Sequence, residues 1–359
     1  MWGNGFGRVI EGESGLDFGM PRVSVVIPVF NAAATITRAV ASVRAQTWAD
    51  WELVVMDDGS TDGTREILRE LAQVETRMRV CAREHAGVAL TANAAMAEAR
   101  GEFVARMDAD DVSHPERLAE QVALLEQAEN RDVGAVGCLV EFGGDRAANA
   151  GYALHVDWVN ALVTPEAIAL GRFVEQPVVN PSVMFRRELV ARLGGYRDGD
   201  FPEDYELWLR WLDAGVRIAK VPRVLLTWND APTRLTRTDA RYAPDAFFRM
   251  KAEWIARELA RVAVGRKIVV WGAGRHTRKR AAWLAEWGVL IAGYVDVDVK
   301  KTGRRIGGTG LPVIGVEALP ARGEIFVLSY VTTRGARDYN RARLVERGYA
   351  EGRDFLLCG

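Results

Sequence analysis

The sequence is sparing with cysteine, with long apolar runs and, over its first half, with lysine. Its 359 residues hold three cysteines, Cys81, Cys138 and Cys358, far apart and with no CxxC spacing. Neither a disulfide framework nor a structural zinc site is expected from them, and a cytoplasmic location is. Val23 to Phe30, the run with the best claim to span a membrane, is eight residues long and contains Pro28, where a membrane helix needs roughly 18 or more. Residues 1–10 offer no basic segment followed by an apolar core, so no signal peptide is expected. No lysine precedes Lys220, and the turn after the first strand is Pro28-Val-Phe-Asn31. Both facts count against a sugar nucleotidyltransferase, which needs a glycine-rich loop bearing Arg or Lys at that point.

What is present is a globular composition, 49% hydrophobic and 26% charged, which excludes a largely disordered chain. At about 150 residues per domain, the length predicts two to three domains. The net charge of −1 conceals a break. Residues 266–359 carry 17 basic and 9 acidic side chains, whereas residues 1–265 carry 30 and 39. Two units with different ligands or partners would account for this.

Residues 1–20 contain six glycines and no apolar periodicity, and are expected to be a flexible leader. Strands are then predicted at Val23–Ile27, Leu53–Met56, Arg79–Ala82 and Phe103–Met107, separated by helices near 35–45, 64–71 and 88–99. Such alternation implies βαβ units and a parallel sheet covered on both faces. Ser113-His-Pro-Glu116 predicts a capping box opening a helix that runs to about Gln127. From 130 to 235 a glycine-rich, hairpin-like stretch precedes helices near 164–170 and 204–214. An amphipathic helix, Ala246–Val262, is expected to be a connector, and a second α/β unit starts at Lys267.

The chemistry concentrates where the first strands end, the place at which open parallel sheets bind ligands. Asp57-Asp58-Gly-Ser-Thr-Asp62 and Asp108-Ala109-Asp110-Asp111 both fall there. Carboxylates so crowded repel one another unless a cation or hydrogen-bond donors compensate. Asp57-Asp58-Gly-Ser alone also reads as a turn capping a helix. Asp108-x-Asp110 after a strand is a hard, oxygen-rich pattern suited to Mn²⁺ or Mg²⁺ on a diphosphate.

Four motifs in order, Val23-Ser-Val-Val-Ile-Pro-Val-Phe-Asn31, Val55-Met-Asp-Asp-Gly-Ser-Thr-Asp62, Gly101-Glu-Phe-Val-Ala-Arg-Met-Asp-Ala-Asp-Asp111 and Pro202-Glu-Asp-Tyr-Glu-Leu-Trp208, resemble the inverting family 2 glycosyltransferases. The resemblance covers about residues 22–230. It implies an α/β fold of GT-A type, a Rossmann-like mixed sheet flanked by helices, over residues 21–235. A helical connector, 236–265, and a smaller Rossmann-like α/β domain, 266–359, would follow.

The resemblance further implies a nucleotide-sugar donor, a UDP-sugar by preference. Pro28, Phe30, Asn31 and Asp58 would hold the nucleobase, with Asp58 accepting from a uracil imide. Gly87 and Asn93 would border the donor pocket, Asp108 and Ala109 would face the donor, and Asp110 with Asp108 would coordinate the metal. Asp204 matches the catalytic base, although a carboxylate at a helix start is equally an N-cap. Trp208 and Trp211 are expected in the core. Two departures stand out: Ala92 replaces a common basic residue, and the histidine common after the last core strand is missing, leaving Arg234 or Arg237 as candidate diphosphate contacts.

In the second unit, Gly272 and Gly274 fit the first two positions of a dinucleotide fingerprint, Thr277 occupies the third, and Asp296 stands where a ribose would be met. These three, Gly272, Gly274 and Asp296, mark a possible nucleotide site, but no second half long enough for a dehydrogenase follows. The order of the two units resembles that of the queuosine-tRNA galactosyltransferases, which makes tRNA an alternative acceptor to a glycan, lipid-linked sugar or small molecule. A non-catalytic sugar-nucleotide sensor is the third alternative, weakened by the intact carboxylates.

Overall fold

The computed structural model describes residues 19–230, 234–333 and 335–359; the expected leader lies almost wholly outside them. The chain divides into two units. The first comprises residues up to Ile168, Val178–Gly199 and Glu203–Thr238; the second comprises Ala169–Pro177, Asp200–Pro202 and Asp239–Gly359. No helix among the described residues is long and apolar enough to cross a membrane.

The first unit is built on strands β1 (Val23–Val29), β2 (Trp51–Asp57), β3 (Met78–Ala82), β4 (Phe103–Arg106), β5 (Val112–Ser113), β6 (Val133–Phe142), β7 (Met184–Arg186) and β8 (Arg217–Trp228). They form one sheet in the order β3-β2-β1-β4-β7-β6-β8-β5. The first four are parallel, β7 runs against both β4 and β6, β8 is parallel to β6, and β5 lies antiparallel on β8. Alternation along the strands feeds two cores. Val23, Val25, Ile27 and Val29 of β1 join Leu53 and Val55 of β2 on one face. Val26, Val54 and Met56 join the opposite face, with Trp208 and Trp211. Both tryptophans are fully buried and meet edge to face at 5.6 Å, as the core assignment requires.

Two local expectations are corrected. Ser113 does not cap a helix: it lies in β5, paired with Leu226 of β8. The helix begins at Arg117 without a side-chain cap from Glu116. Its first donors go instead to Gln46 Oε1, which accepts from Leu118 N–H at 2.9 Å, and to the His114 carbonyl, which accepts from Arg117 N–H at 3.0 Å. The hairpin-like stretch is also absent. Residues 133–142 form the ten-residue strand β6, and a helix follows at Ala150–Ala161. The glycines there serve packing rather than turning, since a Cβ at Gly134 would lie 2.8 Å from Val216.

The second unit holds β9 (Lys267–Trp271), β10 (Ile291–Asp296), β11 (Val313–Gly315), β12 (Ile325–Ser329) and β13 (Phe355–Leu357) in a parallel sheet ordered β11-β10-β9-β12-β13. Helix Pro244–Val262, expected as a connector, packs within this unit against helix Arg275–Ala282 and the turn Trp283–Trp287. Its buried Lys251 donates to the carbonyls of Phe173, Val174 and Cys358 at 2.8, 3.2 and 3.0 Å.

A second buried lysine has less support. Lys220 of β8 is 3% exposed and donates to the Val159 carbonyl; burial lowers its pKa to about 7. An unfolded lysine keeps its proton to about pH 10. Between these values the unfolded chain binds more protons, so stability rises with pH. Below about pH 7 both states are charged and the burial cost is complete. Lys220→Met is therefore expected to raise the thermal midpoint at pH 6, with the gain shrinking by pH 10. An equal gain at both pH values would contradict a charge-burial cost.

Candidate functional site

The carboxyl ends of β1 and β2 are tied together by side chains in the loops that follow. Asn31 adopts a left-handed backbone at φ 50°, tolerable for its short polar side chain. Its Oδ1 accepts from Thr61 N–H at 2.8 Å, and its own N–H donates to Ser60 Oγ at 2.9 Å. The turn after β1 is thereby fixed to the turn after β2. Asp57 is buried and takes Arg65 Nε at 2.5 Å and Ser60 N–H at 3.2 Å, which makes it a brace for that turn.

Asp58 is likewise only 3% exposed. Its two carboxylate oxygens each accept a backbone N–H at 2.9 Å, from Ala86 and from Gly87, and His85 Nδ1 lies 2.9 Å from Oδ2. Gly87 sits at φ 90° immediately before helix Val88–Glu98, a conformation that favours glycine. Phe30, half exposed, stacks on His85 with ring centroids 4.3 Å apart. Pro28 lies in β1 opposite Met56 of β2. His85 escaped the sequence reading because its partner Asp58 lies on a different strand–loop connection.

Past β4, Asp108, Asp110 and Asp111 can bring one carboxylate oxygen each within 4.8 Å of one another. Ala109 between them packs on the core. Asn229, after β8, holds the loop: its N–H donates to Asp111 Oδ1 and its Nδ2 to the Asp110 carbonyl, both at 2.8 Å. Asp111 is 1% exposed, and its Oδ2 is buried with no hydrogen-bond partner among the described residues. Burial raises the Asp111 carboxyl well above the usual range, and the charges of Asp108 and Asp110 push the same way. Asp110 is raised too, by burial first and then by Asp108, with Arg234 opposing. The Arg234 guanidinium lies over Trp228, 4.4 Å from the ring centroid. Arg237 is drawn aside to Asp230 at 2.5 Å. An orphaned buried oxygen among three crowded carboxylates fits a hard divalent cation, which Asp108 and Asp110 could also ligate.

Asp204 lies in the first turn of helix Glu203–Asp213, where its Oδ1 accepts from Tyr205 N–H at 2.7 Å. From that helix, Arg210 donates to the Gly195 carbonyl and Trp211 Nε1 to the Gly194 carbonyl, holding the loop before Tyr196. Asn93 closes on the same loop: its Nδ2 donates to the Tyr196 carbonyl and its Oδ1 accepts from Tyr196 N–H, each at 2.8 Å. The Asn93 amide is thus engaged in positioning that loop. Burial raises the Tyr196 hydroxyl to about 12, with Arg106 opposing and the charges of Asp204 and Glu203 adding to the rise. Arg106 stands inside the third motif but is given no role by it, and Tyr196 and Asn229 lie outside all four motifs.

In the second unit, Gly272 sits at φ 105°, and a Cβ there would press on Val331 and Thr277. Asp296 accepts from Ala273 N–H at 2.8 Å, Asp298 N–H at 2.9 Å and Lys301 Nζ at 3.1 Å. Burial opposes its ionisation, but these donors hold its carboxyl below the usual range. Its carboxylate braces the turn Gly272–Gly274.

A cation bound at this cluster would compete with protons for the raised Asp110 and Asp111. Affinity for Mn²⁺ is expected to fall as the pH drops from 7.5 to 5, measured by calorimetry. An affinity unchanged over that range would argue against the triad as the binding site.

Residues 24–194 match the model of the family described as glycosyl transferase family 2. EpsE of Bacillus subtilis (strain 168), assigned to the glycosyltransferases, is 30% identical over 232 residues, covering 63% of this chain and 79% of EpsE. The chondroitin synthase of Pasteurella multocida (strain Pm70) is 33% identical over 132 residues, 34% of this chain and 14% of the synthase. Among solved structures, S. aureus TarS 1–349 in complex with UDP-GlcNAc aligns with a TM-score of 0.51 at 19% identity, covering 74% of this chain and 71% of TarS 1–349. That likeness shows the fold, a GT-A type α/β sheet.

Proposed function

This chain belongs to glycosyltransferase family 2, and from that membership we propose that it is a metal-dependent, inverting transferase moving a hexose from a UDP-sugar to a hydroxyl acceptor. The observation that carries the proposal is the acidic triad, Asp108, Asp110 and Asp111, just past the carboxyl end of the central strand β4, with one buried oxygen that has no partner among the described residues. A divalent ion, Mn²⁺ or Mg²⁺, held there by Asp108 and Asp110 would neutralise the donor diphosphate and so favour its departure.

The chain's own residues do the rest. Pro28, Phe30 and Asn31 form one wall of the donor pocket, with the exposed face of the Phe30–His85 pair as a surface for a nucleobase. Asp58 anchors the loop at Gly87 and keeps lone pairs for a uracil imide. Asp108 and Ala109 face the donor ribose, and Asn93 holds the Tyr196 loop beside it. Arg234 supplies positive charge near the diphosphate, which offsets the missing histidine. Asp204 takes the proton from the acceptor hydroxyl as that oxygen attacks the anomeric carbon opposite the leaving group.

The acceptor is proposed to be a glycan, lipid-linked sugar or small molecule, met on the cytoplasmic side, where the buried free thiols of Cys81, Cys138 and Cys358 would persist. A tRNA acceptor has less support. Many basic residues of the second unit are already paired with carboxylates there, among them Arg266, Lys279, Lys301, Arg341, Arg343, Arg347 and Arg353.

Asp204→Asn is expected to lower turnover about 10³-fold, within the usual range for loss of a positioned base, while Asp110→Asn abolishes the Mn²⁺ response. Both should unfold at the wild-type midpoint. A panel of UDP- and GDP-sugars scored by thermal shift with Mn²⁺ would select the donor. Near-normal turnover in either variant would refute the assignment. For tRNA, a gel shift across a salt series should show none of the steep salt dependence that phosphate contacts impose.

A further inference from the structure

Three residues implied for a donor, a cation and a base, Asn93, Asp108 and Asp204, are connected through two buried residues that belong to none of those roles. Arg106 ends β4 and is 2% exposed. Its Nη2 lies 2.6 Å from Asp108 Oδ1, and another arm donates to the Met107 carbonyl. Its Nε is buried with no acceptor among the described residues. A guanidinium so enclosed keeps its charge only if its neighbours stabilise it. Asp108 and Tyr196 are those neighbours.

Tyr196 completes the connection. It is 5% exposed, and its hydroxyl donates to Asn180 Oδ1 at 2.9 Å while facing Arg106. Its backbone is held on both sides by Asn93. Gly195 permits that approach, because a Cβ there would fall 2.2 Å from Asn93 Oδ1. The same hydroxyl feels the carboxylates of Asp204 and Glu203. Helix Glu203–Asp213 in turn holds Gly194 and Gly195 through Trp211 and Arg210.

We infer that Arg106 and Tyr196 act as one positioning unit, which fixes Asp108 by one oxygen and sets the base-bearing helix relative to the acidic triad. The inference rests on the metal and base roles proposed above. Arg106 suits the task because a planar fork can address two partners at a fixed angle, whereas an ammonium is a point charge. With Asp108 Oδ1 drawn to Arg106, its second oxygen is the one left to face a cation. Neither residue needs to touch donor or acceptor.

The test uses two substitutions that preserve net charge, made in the full chain. Mn²⁺ is titrated into each protein with saturating UDP, and hydrolysis of UDP-glucose is followed over a range of donor and Mn²⁺ concentrations. Arg106→Lys is expected to bind Mn²⁺ about tenfold more weakly and to lower kcat, with KM for UDP-glucose changed less than twofold. Tyr196→Phe keeps the Arg106–Asp108 pair, so it should leave Mn²⁺ affinity within twofold and lower kcat alone. Residues acting as a unit are non-additive, so the double variant should lose little beyond Arg106→Lys.

Purely structural roles would instead lower the thermal midpoint and leave Mn²⁺ affinity and kcat of the folded fraction unchanged, which would overturn the inference. Fully additive losses would overturn it too. Should Arg106→Lys fail to fold, Tyr196→Phe decides alone, by its kcat. If the wild-type chain with UDP binds no Mn²⁺ at millimolar concentration, the underlying metal assignment fails and takes the inference with it. Normal Mn²⁺ binding with unaffected variants sinks only the inference.

Discussion

Carboxylates gathered at the carboxyl end of a central strand must be compensated, and this constraint organises the first unit. Two unit charges 4 Å apart interact by about 4 kcal/mol at the effective dielectric near a protein surface. Three acidic side chains in that range therefore demand donors, cations or protons. The chain supplies a partial answer. Arg106 takes one oxygen of Asp108, Asn229 takes one of Asp111, and Arg234 offsets Asp110 from its perch on Trp228. What is left over, the buried Oδ2 of Asp111 and the raised carboxyls, is the residue of charge that a divalent ion would complete. A fully compensated cluster would serve only as a brace, as Asp57 does for the turn after β2.

The contrast among aspartates is informative. Asp57, Asp58 and Asp296 each accept donors on both sides and hold backbone turns in place. Their motif positions are shared with ligand-binding residues, yet much of their capacity goes into geometry. In the first unit that geometry is productive: the turns after β1 and β2 and the loop before helix Val88–Glu98 are joined into one rim through Asn31 and Asp58. Preorganised rims bind without first having to order themselves.

The sequence made β1 to β4 legible because both faces of those strands are buried, which gives short apolar runs at regular spacing. The carboxylate motifs were legible for the same reason, standing where each run stops. Beyond residue 130 the signal weakened because glycine changed its meaning. Gly134 and Gly137 make room for Val216, Leu189 and Lys220 inside a strand, where glycine usually signals a turn. The helix start near 116 is hidden from local sequence because its cap comes from Gln46, some 70 residues earlier. Arg106, Tyr196 and Asn229 lay beyond reach for that reason as well. Their importance comes from partners met only after folding, and a lone Arg in a strand or a Tyr after two glycines announces nothing. Asp296 and the glycines near it match a familiar spacing, and in the structure its carboxylate also holds that turn through Ala273 N–H.

The contact between Asn93 and Gly195 has an evolutionary corollary. The side-chain oxygen of one occupies the space where any side chain of the other would begin. Substitutions at the two positions cannot be accepted in arbitrary order: residue 93 must shorten before residue 195 can acquire a Cβ. Lineages descending from this chain would therefore inherit the two as a pair, and a homologue bearing alanine at the second position should reveal a smaller partner at the first.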